Sequence, residues 1–184
     1  MPKKLKRGLL YCGAILLLLA FIVNNAVKDD IQEIEKALHS LNQPISQILY
    51  TKLLDRNQAI VFYESSSVGI ESFGNARFKK NIFGWRLVGA SSGQNPEGYK
   101  FSWSFSDLTF DFSGYTDLLS GKFFVADIKE VRIVTKNEVE YHAEIIEYNN
   151  SKKYWFVISE GEELLGSTIT ALSQDGKIIE PLIE

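Results

Sequence analysis

Cysteine and histidine are nearly absent from this 184-residue sequence, which contains one cysteine, Cys12, and two histidines, His39 and His142. A single cysteine cannot form an intramolecular disulfide, so the folded part must depend on its hydrophobic core alone. Nucleophilic catalysis by serine requires a base beside the nucleophile, and two histidines offer few such bases. We therefore expect a protein that is not an enzyme and that uses no cofactor.

Long apolar runs are also absent, with one exception near the start of the chain. Residues 8–23, GLLYCGAILLLLAFIV, contain no charge, and residues 24–27 extend this run to twenty positions. An α-helix of about 20 residues crosses a hydrocarbon core of about 30 Å. The sequence thus predicts one transmembrane anchor at residues 8–27. The lack of a second span excludes a transporter or channel formed by one chain.

The charges on either side of this run predict its orientation. Residues 1–7 carry four cations, and the sequence Lys28-Asp29-Asp30 follows the run. The positive-inside rule places such a basic flank in the cytoplasm. We expect a cytoplasmic basic tail at 1–7, a single-pass location in the cell membrane and an extracellular C-terminal domain.

Two other interpretations of the same stretch remain open. A cleaved secretory signal has the same order of basic, apolar and polar regions, but its cleavage site requires two small residues and the sequence supplies only Ala26. Lipidation at Cys12 would place the bulky Tyr11 directly before the modified residue. All three interpretations put the remainder of the chain outside the cytoplasm.

The charge balance of that outer part argues against polyanionic partners. The whole chain has 20 basic and 23 acidic residues, and removing the four cations of the tail leaves 16 against 23, a net charge of about −7. A net acidic domain is poorly suited to nucleic acid and to electrostatic docking on anionic lipid or wall polymer. We expect no nucleic-acid partner.

The segment 28–98 is predicted to contain a short helix followed by an antiparallel β-meander. Apolar residues recur at helical spacing at Ile31, Ile34, Leu38 and Leu41, with Asp29 or Asp30 as the N-cap and Pro44 as the stop. From Ile45 the periodicity changes to two. Turns are expected at 55–58, 65–67 and 74–75, and the loop at 90–98 is taken as a domain boundary.

The segment 99–184 is predicted to be a β-sandwich-like domain. Tyr99, Phe101, Trp103 and Phe105 alternate with polar residues and predict a strand of eight residues. The run 154–158 is apolar on both faces and indicates a strand at the centre of a sheet. Asp175-Gly176 is a strong hairpin signal. The fold class is therefore mostly β, with α+β character in the N-terminal half.

Two stretches resemble known proteins. Residues 128–158, IKEVRIVTKNEVEYHAEIIEYNNSKKYWFVI, followed by GSTITALSQDGKII at 166–179, are similar to the immunoglobulin-like β-modules of bacterial surface proteins. Residues 59–89, above all Ile82-Phe83-Gly84-Trp85-Arg86, resemble uncharacterised single-pass membrane proteins of Bacillus-like Gram-positive bacteria. The resemblance implies a fold and a cell-envelope location, and it implies no activity.

The aromatic residues of the ladder are the best candidates for a ligand or partner surface. If exposed, they would form a platform for stacking sugar rings or a partner protein; if buried, they would form the inner face of a sandwich, which is the favoured alternative. The row Glu138, Glu140, His142 and Glu144 is typical of a solvated strand face, so no metal ligand is assigned. The candidate surface comprises Tyr99, Phe101, Trp103, Phe105 and Trp85.

Two functions follow as expectations. The first is a membrane-anchored extracytoplasmic interaction module of the cell envelope that binds another envelope protein without catalysis. The second is a ligand-binding or sensory domain, for a glycan or a peptide, with a pocket between the two β-rich halves. An enzyme is the third alternative, and it would require His142 and acids from separate strands to converge on a cleft. The oligomeric state stays open.

Overall fold

The computed structural model describes residues 29–41, 43–67, 70–94, 99–149 and 152–183. These residues form one helix and three antiparallel sheets, so the prediction of a mostly β protein is confirmed. The predicted anchor at 8–27 lies outside the described residues. Within them, no helix has both the length and the apolar character required to cross a bilayer.

The elements follow the chain as one helix and twelve strands in the described part. They are α1 Asp30–Leu38, β1 Ile45–Leu53, β2 Gln58–Ser67, β3 Ile70–Asn81, β4 Gly84–Gln94, β5 Ser104–Asp107, β6 Asp117–Phe123, β7 Ile128–Val134, β8 Glu140–His142, β9 Glu144–Tyr148, β10 Lys152–Ile158, β11 Thr168–Ser173 and β12 Ile178–Ile183.

The predicted amphipathic helix is confirmed as α1. Asp29 is its N-cap, and the Asp29 carboxylate accepts a hydrogen bond of 3.0 Å from the amide of Ile31. This bond satisfies one of the amide groups that the first turn leaves without an intrahelical partner. Ile34 and Leu38 are fully buried against the first sheet, whereas Ile31 is exposed. The helix ends at Leu38, one turn before Leu41.

The first sheet, sheet A, is the predicted meander with strand order β1-β2-β3-β4. The turn expected at 55–58 is confirmed: it joins β1 to β2, where Leu53 pairs with Ala59. Two predicted interruptions are wrong, because Ser65 continues β2 opposite Ser72 and Gly74 lies within a continuous β3 opposite Tyr63. In addition, β4 continues to Gln94, well into the predicted loop.

Close packing, not a turn, explains the glycine in β3. A Cβ atom at Gly74 would lie 2.7 Å from the Tyr63 ring and 2.6 Å from the Ser91 carbonyl oxygen. No side chain fits there without displacing backbone. The neighbouring Asn75 is buried and donates a hydrogen bond of 3.2 Å to the Ser106 hydroxyl. Gly74 therefore permits close packing within sheet A, whereas Asn75 links sheet A to the next layer.

The second half forms two four-stranded sheets. Sheet B has the order β5-β6-β10-β9 and sheet C has the order β12-β11-β7-β8. Every residue of β6 is buried, and Tyr154, Trp155, Phe156 and Val157 of β10 are buried too, so the prediction of a central strand at 154–158 is confirmed. The Asp175-Gly176 hairpin is confirmed as the turn between β11 and β12.

The predicted aromatic strand is shorter than expected. Only Ser104–Asp107 forms β5, and Phe101 pairs with Phe123 through an isolated bridge. Between them the backbone of Ser102 presses against Gly121, where a Cβ atom would overlap the Ser102 carbonyl oxygen. The Lys122 amide donates to the Ser102 hydroxyl at 3.1 Å. This side-chain hydrogen bond takes the place of one backbone bond, while the Ser102 amide still donates to the Lys122 carbonyl oxygen at 2.9 Å.

The layers stack in the order α1, sheet A, sheet B and sheet C. Helix α1 covers one face of sheet A around Tyr63 and Phe78. The other face of sheet A packs on sheet B, where the Phe62 and Phe156 rings stack with centroids 4.6 Å apart. The opposite face of sheet B packs on sheet C around Trp155. Sheet B is thus buried on both faces. The predicted boundary between 28–98 and 99–184 stays a prediction, although the two segments share a core.

A buried ion pair crosses the contact between sheets A and B. Lys122 of β6 pairs with the Glu64 carboxylate of β2, which also accepts a hydrogen bond of 2.9 Å from the Tyr148 hydroxyl. Burial acts to raise the pKa of Glu64, but the hydrogen bonds from Lys122 and Tyr148 and the Lys122 charge outweigh it. They hold the pKa of Glu64 below its ordinary value of 4.5. The carboxylate therefore stabilises the fold in its charged form.

The pH dependence of stability should reveal this pair. Because the folded-state pKa of Glu64 is lowered, its contribution is complete above pH 4.5 and is lost as the pH falls through the folded-state pKa. We expect Glu64→Gln to be less stable than the wild type at neutral pH. The two unfolding curves should converge in acid. Urea titrations of both proteins from neutral to acidic pH measure the difference, and a gap independent of pH would contradict the assignment.

Candidate functional site

The aromatic candidates do not form an exposed platform. Phe101 is 1% exposed and meets the Trp155 ring edge-to-face at a centroid distance of 6.3 Å. Trp103 and Phe105 are half-buried and pack against the cluster between sheets B and C. Tyr99 is 52% exposed and stands apart from the others. This burial agrees with the sandwich-core alternative for the ladder.

Trp85 lies in a different layer from the ladder. It is buried between sheet A and α1, and its indole N–H donates a hydrogen bond of 3.0 Å to the Asp30 carboxylate. The cation near its ring is Lys80, with Nζ 5.9 Å from the ring centroid. Trp85 therefore fixes the start of α1 on sheet A.

A cleft between the two halves is a candidate site, because residues from all three sheets line it. It encloses a cavity of about 270 Å³ between β1 of sheet A and strands β8, β9 and β10. Its floor is apolar, formed by Phe156, Val157 and Ile158 of the central sheet. Its walls carry polar and charged groups together with two leucines. The lining residues of the walls are Lys52, Leu53, Leu54, Tyr115, Tyr141, His142, Glu144 and Glu160.

The strand order explains why the cleft forms at this place. β1 is an edge strand of sheet A, β9 is an edge strand of sheet B and β8 is an edge strand of sheet C. The three edges meet on one side of the molecule because β8 and β9 are nearly continuous, separated only by Ala143. The Lys52–Glu144 ion pair and a hydrogen bond from Asn149 to Gln47 hold β1 beside β9. Edge strands present backbone donors and acceptors that can pair with another chain.

The charge in and around the cleft is mainly negative. The one lysine of its lining, Lys52, is paired with Glu144 and lies 5.5 Å from the centroid of the Phe156 ring. Burial, followed by the charges of Glu160 and Asp55, raises the pKa of Tyr115. Burial and nearby glutamates also raise the pKa of Tyr141. Both phenols thus remain neutral in an acidic setting that favours a cationic group.

His142 lies at the border of the cleft, between carboxylates. Its Nδ1 is 3.1 Å from the Glu130 carboxylate of β7, and its Nε2 is 3.4 Å from the Glu140 carboxylate of β8. His142 and carboxylates from separate strands therefore do meet at the border of the cleft, which is the arrangement that the enzyme alternative requires. Among the residues that line the cleft there is no serine, threonine or cysteine. Within the described residues, no group of three or more histidine, cysteine, aspartate and glutamate side chains is arranged to hold a metal ion.

One stretch matches a known catalytic pattern without its geometry. Residues 89–93, GASSG, follow the spacing Gly-x-Ser-x-Gly of a nucleophile elbow. That elbow is a tight turn between a strand and a helix, which exposes the serine. Here the five residues lie inside β4, and the Ser91 hydroxyl accepts a hydrogen bond of 3.1 Å from Arg77. Ser91 is therefore a structural partner of Arg77.

No sequence motif connects the residues that line the cleft. Lys52, Tyr115 and Glu160 are separated by 45 positions or more, and none belongs to a motif. They come together only because the edges of three separate sheets meet in the folded protein. No protein-family model matches the chain, and comparisons with curated proteins and with solved structures likewise give no match. Function is therefore inferred from the geometry of the described residues.

Proposed function

We propose that the protein is a membrane-anchored, extracytoplasmic interaction module of the cell envelope, without catalytic activity. In this proposal the cleft between the halves binds an extended basic segment of another envelope protein. The observation that carries it is the convergence of three edge strands on one acidic cleft with an apolar floor. An added strand can pair with such an edge, while pockets beside the edge select its side chains.

The charges of the cleft support a basic partner. Lys52 is already neutralised by Glu144, so the carboxylate of Glu160 remains to attract a cation near the Tyr115 and Tyr141 rings. Aromatic rings and carboxylates together are suited to bind a lysine or arginine side chain. The net charge of about −7 of the outer part gives the same preference at long range.

We further propose that residues 99–184 form an immunoglobulin-like sandwich. The strand orders β5-β6-β10-β9 and β12-β11-β7-β8 support it, because they correspond to the ABED and GFC sheets of that fold with one added strand, C′. Two hallmarks of antibody domains are missing. The segment has no cysteine, and Trp155 lies on the strand that corresponds to E and not to C.

Site-directed crosslinking tests the interaction. A photoreactive amino acid at Leu53, an exposed residue of the cleft, should crosslink the tethered protein in its own membranes to one envelope protein. The matched control is the same amino acid at Ile178, which is also exposed but lies on β12, far along the chain in sheet C. We expect an adduct at Leu53, none at Ile178, and loss of the adduct when Glu160→Lys reverses the charge.

A small ligand is the second candidate, favoured by the cavity itself. A volume of about 270 Å³ with an apolar floor and two tyrosines is just below the usual range of small-molecule sites, about 300–1,000 Å³. If Leu53 gives no protein adduct, thermal unfolding should be measured with basic peptides and with glycans. A stabilisation that Glu160→Lys removes would favour the ligand-binding function over the protein-interaction function. Equal adducts at Leu53 and Ile178 would contradict both.

A further inference from the structure

The tip of the β3–β4 hairpin presents two adjacent apolar side chains to solvent. Ile82 is 72% exposed and Phe83 is 79% exposed. The turn that carries them is well built, since the Asn81 side chain accepts a hydrogen bond of 2.8 Å from the Phe83 amide. Gly84 closes the turn with φ of 114°, a conformation that other residues rarely adopt. Two apolar side chains are therefore held outward by a defined turn.

Exposed apolar side chains of this size are unfavourable in water unless something covers them. Moving a phenylalanine or isoleucine side chain from water into an apolar environment is favourable, roughly in proportion to the area removed from water. Single exposed apolar residues are common, but an adjacent pair at a hairpin tip is a more specific feature. An occupant that covers this tip must be apolar where it meets Ile82 and Phe83.

Two cationic residues that flank the tip favour an occupant with negatively charged groups above its apolar part. Lys79 and Arg86 are direct cross-strand neighbours in the β3–β4 pair. Like charges placed opposite each other destabilise a strand pair in water. The ion pairs found among the described residues include neither of the two. Phosphate groups just above an apolar layer would neutralise both cations while the tip lies deeper.

The hairpin is fixed beside the start of α1, where the chain comes from the predicted anchor. Lys80 forms an ion pair with Asp30, and the Trp85 indole N–H donates to the same carboxylate at 3.0 Å. Residue 27, the last of the predicted anchor, precedes Asp29 by two residues, and two residues span at most about 7 Å. Phe83 precedes Trp85 by the same number of residues. The tip is thus within reach of the headgroup layer, which is about 5–8 Å thick on each side.

We propose that the β3–β4 tip inserts into the outer-leaflet interface of the same membrane, with Ile82 and Phe83 among the acyl chains and with Lys79 and Arg86 at the phosphates. This inference rests on the proposed anchor. The acidic outer part as a whole would not dock on anionic lipid, but beside the tip the cations Lys79, Lys80 and Arg86 outnumber the carboxylates of Asp30 and Glu33. The anchor also holds the tip near the membrane. Insertion gives the body a second contact and fixes its orientation on the membrane.

Nitroxide labelling of the full chain in phosphatidylcholine–phosphatidylglycerol nanodiscs tests the depth of the tip. In a Cys12→Ser background, Phe83→Cys and Ile82→Cys are labelled separately, so that one apolar residue remains in each variant. Ile178→Cys is the exposed control on sheet C, and Leu17→Cys reports the anchor. Relaxation by oxygen, which enriches in lipid, is compared with relaxation by a water-soluble nickel chelate.

We expect the labels at 82 and 83 at the interface, about 5–10 Å below the headgroup level. The label at 178 should be in water and the label at 17 in the hydrocarbon. Adding Ile82→Ser to Phe83→Cys should shift the label at 83 toward water. A label at 83 in water with one at 17 in hydrocarbon would overturn this inference and leave the anchor intact. A label at 17 in water would overturn both. Protection of 83 from both reagents would indicate a protein contact and would also overturn it.

Discussion

Replacing Trp155 with alanine is expected to lower the free energy of unfolding by about 4 kcal/mol. Trp155 is fully buried at the centre of the contact between sheets B and C. Large-to-small substitutions of buried tryptophan or phenylalanine cost about 3–5 kcal/mol, because transfer free energy is lost and a cavity remains. The indole N–H also donates a hydrogen bond of 3.2 Å to the Ser102 carbonyl oxygen, which the substitution leaves without this partner.

Urea unfolding of the purified full chain, followed by the fluorescence of the remaining tryptophans, measures this loss. Trp155→Phe should fall between the wild type and Trp155→Ala, since it keeps most of the apolar surface but loses the indole donor. Phe110→Ala is the matched control, because Phe110 is an aromatic residue that is almost fully exposed. We expect a change within about 0.5 kcal/mol there. A similar loss of unfolding free energy at positions 110 and 155 would contradict a central role of Trp155 in the core.

Local signals in the sequence were sufficient for the elements that depend on local physics. The Asp29 cap and the spacing of Ile34 and Leu38 predicted α1, and Asp175-Gly176 predicted the last hairpin. The apolar run at 154–158 predicted a strand buried on both faces, although not which sheets cover it. Each of these features is determined within about ten residues, so periodicity and turn chemistry reveal it.

The features that were missed depend on residues distant in the chain. Gly74 looks like a turn residue, but it is required by the ring of Tyr63 on the neighbouring strand. The regular strand begins only at Ser104, because the Ser102 backbone packs closely on Gly121. The cleft depends on the meeting of β1, β8 and β9, which belong to three different sheets. A pocket between the halves could be expected from the sequence, but not its residues, because no local pattern records which edges meet.

The second large effect is expected at a buried polar network between sheet A and the second half. Arg77 pairs with the Asp111 carboxylate, and its guanidinium also donates to Asn75 at 2.9 Å and to Ser91 at 3.1 Å. The pair lies over Gly89, where a Cβ atom would come within 2.5 Å of both partners. Small residues in β4 therefore make the space that the charged side chains fill.

Each single substitution should lower the free energy of unfolding by more than half of the loss in the double variant, because it leaves the other partner buried without its counter-charge. Arg77→Met leaves the Asp111 carboxylate without its cation and Asn75 and Ser91 without a donor, and such a break in a buried pair costs about 3–5 kcal/mol. Asp111→Leu leaves the guanidinium without its carboxylate. Since the pair is nearly buried, we expect about 3 kcal/mol for each single variant. The double variant should lose less than their sum, with a coupling free energy of about 1–3 kcal/mol.

The same urea titrations on the two single variants and the double variant complete this cycle. Lys177→Ala, which removes the exposed pair with Asp175, is the control and should leave stability unchanged, since solvent screens exposed pairs. Additive losses at 77 and 111 would mean that the two side chains stabilise the protein independently. A coupling of the expected size would instead show that the charged pair, together with apolar packing, stabilises the contact between sheet A and the second half. The position of β1 beside β9, and with it the shape of the cleft, depends on that contact.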